Sequence, residues 1–228
     1  MHNKKVLPFE KPLFLSCITF IGGYMNAYTY ITRNQILANM HTANMSKLGI
    51  KLALGQFKNA LSFFIPILAC ILGAAFSSSM KYIIERNNFK GDWRKFALLL
   101  ESIALFGIGL IPPYIKDLIV TNLVSFWMGY QLCLFKKCLD SGFSTTICTG
   151  NIRTIGELLF NALIKEDETS LKNLIIFTMV TFSFAFGAFV GSIISTYVGA
   201  TSVWFCSFLL LIETFYMYEY ELKNKDDF

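Results

Sequence analysis

The sequence TANMSKLGIKL at residues 42–52 recurs as TGNIRTIGELL at residues 149–159, with threonine, asparagine, glycine and the final leucine at the same spacing. Each copy lies between long apolar segments of the chain. Self-similarity of this kind indicates a duplicated architecture and therefore decides how the rest of the chain is interpreted. We interpret the chain as two halves, residues 1–114 and 115–228, which together form one integral membrane domain.

The composition is too apolar for an ordinary soluble domain. Hydrophobic residues make up 54% of the chain and charged residues only 15%, whereas soluble proteins carry roughly 25% charged residues. A helix needs about 20 predominantly apolar residues to cross the hydrocarbon core of a bilayer. The sequence therefore predicts an all-α polytopic membrane protein with six transmembrane helices, at Leu13–Ile31, Ala60–Ile84, Phe96–Ile111, Leu118–Leu139, Leu174–Val198 and Ser202–Tyr220.

The positive charges are distributed unevenly between the two sides of this arrangement. With a cytoplasmic N-terminus, 15 of the 20 lysines and arginines lie in cytoplasmic segments. The other five lie outside: Arg33, Lys47, Lys51, Lys58 and Lys116. This bias follows the positive-inside rule and predicts that both termini are cytoplasmic. It also favours contact with the anionic headgroups of the lipid bilayer over contact with nucleic acid.

Three spans in each half would place the two halves in opposite orientations. Inverted three-helix repeats are typical of secondary transporters, in which solutes bind near the bilayer midplane. The span after each motif copy also carries small residues four apart, which lie on one helix face and allow close helix packing. Such faces can serve packing within one chain or a homodimer, and the sequence leaves both open. The small residues are Ala69, Gly73 and Ser77 in the first half, and Ser183, Gly187, Gly191 and Ser195 in the second.

The segments that contain the motif copies are neither clean spans nor plain loops. Residues 32–59 and 143–163 mix short apolar runs with polar side chains, which is typical of re-entrant or broken helices. Threonine followed by a small residue can cap a helix start, and a helix N-terminus offers free N–H groups and a partial positive charge. We expect two half-helices whose N-termini point toward a shared centre. The alternative is that both triplets are ordinary caps of surface helices.

Several of these residues also carry a family resemblance. Gly22-Gly23-Tyr24-Met25-Asn26-Ala27 and Asn39-Met40-His41-Thr42-Ala43-Asn44, together with Met128-Gly129-Tyr130-Gln131 and the Thr149-Gly150 pair, resemble the motifs of the YoaK-like bacterial membrane protein family, long catalogued as a domain of unknown function. The resemblance implies a six-span, multi-pass protein of the bacterial inner membrane and supplies no substrate. The chain departs from the family pattern at Asn26, where an acidic residue is usual, at His41 in place of methionine, and at Ala43 in place of glycine.

Polar residues at the predicted centre are the candidates for solute binding: Asn26, Thr42, Asn44, Gln131, Thr149, Gly150 and Asn151. Three ionisable residues are candidates for proton coupling. Glu101 and Glu213 lie inside apolar spans, where a charge is costly and usually faces a cavity or a partner, and His41 titrates near neutrality. The alternatives are a hydrogen-bonded structural histidine and glutamates hydrated at the cytoplasmic interface.

The sequence does not predict an enzyme. It contains no zinc-protease, serine-hydrolase or phosphate-loop motif. The six cysteines are scattered through apolar segments without a Cys-x-x-Cys pair, so we predict buried thiols and no metal or other cofactor. The favoured function is a transporter or permease for a small polar or charged solute. The alternatives are a passive channel and a non-transport membrane scaffold.

Overall fold

The computed structural model describes residues 7–33, 35–87, 91–112, 114–138, 141–146 and 148–224. It is an all-α protein, as predicted, apart from two short strands. The helices are α1 (Pro12–Thr32), α2 (His41–Ala53), α3 (Phe57–Arg86), α4 (Arg94–Gly109), α5 (Asp117–Leu134), α6 (Thr149–Ile164), α7 (Glu168–Val198) and α8 (Trp204–Lys223). Short 3-10 turns occupy Pro8–Glu10 and Gly199–Val203. Strand β1 (Lys137–Cys138) pairs antiparallel with β2 (Ser141–Gly142), Lys137 opposite Gly142.

Each of the six predicted spans coincides with a helix, and α2 and α6 occupy the two segments that contain the motif copies. The fourth predicted span is too long, because its helix ends at Leu134 and the β1–β2 pair follows. Two helical stretches, Phe57–Arg86 and Glu168–Lys223, are long and apolar enough to cross a membrane by length and composition. Helix α4 has only 16 residues.

Local chemistry explains where the long helix α7 starts and stops. The Asp167 side chain accepts a hydrogen bond from the Thr169 N–H at 3.0 Å and another from the Ser170 hydroxyl at 2.5 Å, which caps the first turn. At the other end Gly199 has a φ of 71°, a conformation that glycine adopts without steric cost. The chain then turns through Gly199–Val203 into α8.

Two helix crossings bring backbones into direct contact. Helix α1 packs most extensively on α7, and α3 on α5. A Cβ atom on Gly23 of α1 would overlap the carbonyl of Phe184, and one on Gly187 of α7 would overlap the carbonyl of Phe20. The α3–α5 crossing is built in the same way, from Gly73 against the Phe126 carbonyl and Gly129 against the Cys70 carbonyl. These small residues are therefore used inside one chain.

Helices α4 and α8 form a third pair that is held by polar contacts. The hydroxyl of Ser102 donates to the Ser207 carbonyl at 2.7 Å, and the Ser207 hydroxyl donates to the Ser102 carbonyl at 2.8 Å. Toward one end of the pair, the Trp204 indole donates to the Phe106 carbonyl at 3.0 Å. These bonds fix the register of the two helices, since each involves a backbone carbonyl.

Many large apolar side chains are exposed, and several polar side chains are buried beside an apolar core. Large apolar side chains point outward along the helices, such as Leu72, Phe186 and Phe215 at 62%, 60% and 66% exposure. In contrast, Glu101 and Gln131 are fully buried. The interior therefore holds polar groups inside a largely apolar exterior.

We predict that Gly23→Ala destabilises the protein, because the added methyl group meets the rigid Phe184 backbone at the α1–α7 crossing. Overpacking of this kind costs about 1–3 kcal/mol in the free energy of unfolding. Gly107→Ala is the matched control, since Gly107 is also helical and a Cβ there meets nothing within 4 Å. Thermal unfolding in detergent should show a lower Tm for Gly23→Ala and an unchanged or higher Tm for Gly107→Ala. Equal Tm values for the two variants would contradict the close crossing.

Candidate solute site at the two helix breaks

The first helix break is the segment that precedes α2, and it lies against the middle of α1. The backbone N–H of Asn39 donates to Oδ1 of Asn26 at 3.3 Å. The side-chain amide of Asn39 donates to the carbonyl of Gly22 at 3.0 Å. Asn39 and Asn26 are both buried. Asn26, which the sequence assigns to solute binding, therefore uses its oxygen to hold the break in place.

The same segment also bridges α1 and α5. The N–H of Ala38 donates to Oγ1 of Thr29 on α1 at 3.3 Å, and the hydroxyl of Ser125 on α5 donates to the Ala38 carbonyl at 2.6 Å. A buried backbone group without a partner costs free energy comparable to a lost hydrogen bond. Side chains from two helices thus supply the partners that a continuous helix would have supplied itself.

The second helix break is the segment that precedes α6. The side chain of Asn151, in the first turn of α6, donates to the Ser144 carbonyl at 2.8 Å and accepts from the Ser144 N–H at 3.1 Å. Asn151 is 1% exposed. Ile147 lies outside the described residues. Asn151 therefore joins the first turn of α6 to the segment before it, and Thr149 does not cap the helix.

Both breaks meet α1 at the same residue. Gly22 lies halfway along the 21 residues of α1. Its carbonyl accepts from Asn39 of the first break, and a Cβ atom on Gly22 would lie 2.6 Å from the carbonyl oxygen of Thr145 in the second break. Only a residue without a side chain allows this approach. Gly22, Asn39 and Ser144 are not among the site residues predicted from the sequence, although the Gly22-Gly23 pair is a local signal of close backbone contact.

The seven predicted binding residues divide into a buried and an exposed set. Asn26, Asn44, Gln131 and Asn151 are buried. Thr42, Thr149 and Gly150 are exposed on the first turns of α2 and α6.

The expectation that threonine caps each half-helix is wrong. Met40 and Cys148 occupy the capping positions, and neither makes a side-chain cap bond. Thr42 and Thr149 lie inside the first turns of α2 and α6 and are exposed. In each helix the asparagine two residues later, Asn44 or Asn151, is buried instead.

Buried polar groups without partners lie on α1, α4 and α5. Gln131 and Glu101 are 0% exposed, and neither side chain has a hydrogen-bond partner within the described part of the chain. Thr19 of α1 is also buried with an unpartnered hydroxyl there. Buried polar groups are normally hydrogen-bonded, so each such group requires an explanation such as a bound water or ligand.

The packing of α1 against α5 places Thr19 and Gln131 at one level. The two helices run antiparallel, with the rings of Phe14 and Phe135 5.1 Å apart near one end and Arg33 3.4 Å from Asp117 at the other. Thr19 lies five residues from Phe14, and Gln131 lies four residues from Phe135. Their polar groups therefore lie at a similar depth in the bundle.

The three candidates for proton coupling lie at different places. His41 is half-buried at the first residue of α2, and neither ring nitrogen has a partner among the described residues. Glu101 precedes Ser102 at the α4–α8 contact, whereas Glu213 lies six residues after Ser207, roughly 9 Å further along α8. Glu213 borders a separate groove together with Cys17. The structure does not bring the two glutamates together.

The described residues contain no group of three or more histidine, cysteine, aspartate or glutamate side chains that could hold a metal ion. The free cysteines are partly or fully buried. The polar groups around the breaks are amides, hydroxyls and one isolated carboxyl. This arrangement can donate and accept hydrogen bonds and carry a proton.

Comparison with known proteins supports the family resemblance. A family model described as a protein of unknown function, DUF1275, matches residues 14–216. No curated protein and no solved structure matches the chain. The family match covers most of the chain, and DUF1275 is the family of YoaK-like proteins. The resemblance is therefore confirmed, and the chain belongs to the YoaK-like family.

Proposed function

We propose that this protein is an integral membrane transporter or permease for a small polar or charged solute, which binds where the two half-helices meet α1. The observation that carries the proposal is the convergence of both helix breaks on Gly22. Buried polar groups without partners, on Gln131 and Glu101, lie in the same bundle. In transporters built from broken helices, the ends of the half-helices surround the solute.

Membrane insertion accounts for the exposed apolar surface. Only 28% of the most apolar window is buried in each of the two long helical stretches. The core helix of a soluble protein would be mostly buried. Phe182, Phe186 and Phe189 on α7 are 66%, 60% and 62% exposed. Such rings are costly in water, and a bilayer around the bundle would remove that cost.

Contacts between helix ends support six spans with both termini on one side. At one end of the bundle, Lys11 before α1 donates to the Tyr216 hydroxyl of α8 at 2.8 Å, and Arg94 of α4 donates to the Leu134 carbonyl of α5 at 3.1 Å. The opposite end holds the Arg33–Asp117 ion pair. The first end carries most of the lysines and arginines. We assign it to the cytoplasm of a bacterial inner membrane.

The glycine crossings support an inverted repeat of residues 1–114 and 115–228. Gly23 in Gly-Gly-Tyr corresponds in the repeat to Gly129 in Met-Gly-Tyr, and Gly73 corresponds to Gly187. The first helix of each half therefore packs on the helix that follows the motif in the other half: α1 on α7, and α5 on α3. Two equivalent crossings are what a pseudo-twofold axis between the halves requires.

The two crossed pairs suggest how the site would open. Backbone contact at glycine makes α1–α7 one unit and α3–α5 another. The first break lies between them, bonded to Thr29 of α1 and Ser125 of α5. Rocking of one unit against the other would exchange these bonds and expose the centre alternately to each side, as in other inverted-repeat transporters.

The exposed faces of α2 and α6 would line the approaches to the centre. They carry Lys47 on α2 and an Arg153–Glu157 ion pair of 3.6 Å on α6. Charged side chains of this kind need water or a partner at membrane depth. Thr42, Thr149 and Gly150 lie in the first turns of these helices and would meet the solute during entry. Asn26, Asn44, Gln131 and Asn151 would surround it at the centre.

Amides, hydroxyls and helix N-termini suit anions, zwitterions or neutral polar solutes. Glu101 is the carboxyl with no partner in the described interior, so it is our first candidate for a proton-linked group, with His41 second. Glu213 borders a groove nearer the cytoplasmic end and would act outside the centre. Saturable flux driven by a gradient would distinguish this transporter from a passive channel, and absence of flux would favour a scaffold.

We predict that Gln131→Leu raises stability and abolishes solute binding. Removing a buried, unpartnered amide relieves a desolvation cost of about 1–3 kcal/mol, whereas a bound solute would lose its hydrogen bonds. The measurement is a thermal-shift screen of purified protein against a library of metabolites and ions, repeated on Gln131→Leu, Thr42→Val and Thr149→Val. Every solute without a phosphate group that raises the Tm of the wild type should fail to do so in Gln131→Leu.

Thr196→Val is the matched control for the threonine variants. Thr196 is exposed on α7, and its hydroxyl bonds only its own helix, to the Ser192 carbonyl at 2.8 Å. It should keep the ligand response, while Thr42→Val and Thr149→Val should lose it. A response to a solute without a phosphate group that survives in Gln131→Leu would refute the central site. A response that survives only in the two threonine variants would restrict the site to the buried residues.

We also predict the topology. In a variant whose six cysteines are replaced by serine, Lys116→Cys should react with a membrane-impermeant maleimide in intact cells, because it precedes α5 at the outer end. Lys137→Cys, after α5, should react only once the membrane is permeabilised. Labelling of both positions in intact cells would exclude an odd number of crossings between them.

A further inference from the structure

A cavity of about 470 Å³ lies at the proposed cytoplasmic end of the bundle, away from the helix breaks. Its walls come from α3, the start of α4, the end of α5 and the turn at Pro8–Glu10. Sites for small molecules usually have volumes of about 300–1,000 Å³. The cavity is therefore large enough for a ligand of its own.

Positive charge dominates the lining of this cavity. Four cationic side chains, Lys81, Arg94, Lys136 and Lys137, face one carboxylate, Glu10. Lys136 and Lys137 are exposed and form no ion pair within the described ranges. Two adjacent ammonium groups at the mouth of a cavity attract an anion.

The other two cations are partly neutralised but fixed in place. Arg94 contacts both carboxylate oxygens of Asp92 at 3.2 Å and donates to the Leu134 carbonyl. This bond also occupies a carbonyl whose partial negative charge would repel an anion. Lys81 lies 3.6 Å from Glu85, but both side chains are at least half exposed, so solvent weakens the pair. The positive charge available to a ligand therefore comes from Lys136, Lys137 and part of Lys81, and the Glu10 carboxylate offsets some of it.

The cavity also contains a buried donor that lacks a partner. Ser77 of α3 is 1% exposed and lines the cavity, and its hydroxyl has no hydrogen-bond partner in the described part of the chain. A buried hydroxyl in this state calls for a ligand or a water molecule. It lies on the same helix as Lys81, one turn away.

We propose that this cavity binds a phosphate-bearing anion. Phosphate oxygens form strong charge-assisted hydrogen bonds with ammonium groups, and the Ser77 hydroxyl supplies a neutral donor at the wall. The rings of Phe9, Trp93 and Phe135 form apolar walls beside it. Two sources share this chemistry. One is the headgroup of an anionic phospholipid, since basic pockets between membrane helices bind such headgroups on the cytoplasmic side. The other is a soluble phosphate ester.

The test measures the Tm of the full-length protein in a neutral detergent with three additions: phosphatidylglycerol, phosphatidylcholine and glycerol 1-phosphate. A ligand that binds only the folded state raises the Tm. We expect phosphatidylglycerol, glycerol 1-phosphate or both to raise the Tm, and phosphatidylcholine to leave it unchanged. A response to phosphatidylglycerol alone assigns the site to lipid, and a response to glycerol 1-phosphate alone assigns it to a soluble ester. A response to both shows that the site recognises the glycerol phosphate group that the two compounds share.

Two double variants separate a built site from general surface charge. Lys136→Gln/Lys137→Gln should weaken the apparent affinity at least tenfold, and Ser77→Ala should weaken it less. Lys165→Gln/Lys172→Gln removes the same amount of charge from exposed positions outside the cavity and should leave the affinity unchanged. Equal losses in the two double variants would overturn the proposal. So would the absence of a Tm response to either phosphate compound in folded protein.

Discussion

The structure depends on satisfying the backbone of two irregular segments, before α2 and α6, that lie against the middle of α1. Irregular backbone leaves N–H and C=O groups without helical partners, and a buried unsatisfied group costs free energy comparable to a lost hydrogen bond. This chain satisfies them with side chains. Asn26, Thr29 and Ser125 hold the first break, and Asn151 holds the second. These polar residues therefore have a structural role that does not depend on any bound solute.

Close helix approach is the second requirement. The glycine crossings bring α1 onto α7 and α3 onto α5 at backbone contact, and the breaks pack beside these helix pairs. Gly22 and Gly23 are adjacent, so they face different neighbours: Gly22 the two breaks, and Gly23 the carbonyl of Phe184. The Gly22-Gly23 pair therefore takes part both in the α1–α7 crossing and in the contact of α1 with the two breaks.

The same geometry separates residues that hold the fold from residues that remain free to act. The oxygen of Asn26 and both polar atoms of Asn151 are engaged by backbone groups. Gln131 and Glu101 are equally buried and have no partner in the described structure. A solute, a water chain or a proton would use the second set. The proposed function therefore depends more on Gln131 and Glu101 than on Asn26 and Asn151, whereas Asn44 of the repeated motif is also buried with an unpartnered amide nitrogen.

Hydropathy and the repeated motif predicted most of the helices, since long apolar runs and helical spacing are local properties of the sequence. The family followed from short motifs in both halves. The contacts of the breaks were not predictable in this way. Asn39 and Ser144 lie in irregular segments without periodicity, and their partners are fixed only by tertiary packing. Threonine capping was predicted from local preference, but neither helix start has a side-chain cap bond, and at α6 the inward-facing Asn151 bonds the incoming chain instead. Glu101 and Glu213 both lie inside apolar spans of the sequence, and the register of α4 on α8 sets them on different levels.

A cryo-EM structure of the protein in lipid nanodiscs would test the convergence of the breaks most directly. The quantity to measure is the position of residues 35–40 and 143–148 relative to Gly22 and to the centre of the bilayer density. Our account predicts that both segments contact α1 at Gly22, near the midplane, with the Asn39 amide bonded to the Gly22 carbonyl. If either segment lay in the headgroup region, away from α1, the two half-helices would not share a centre and the proposed site would not exist.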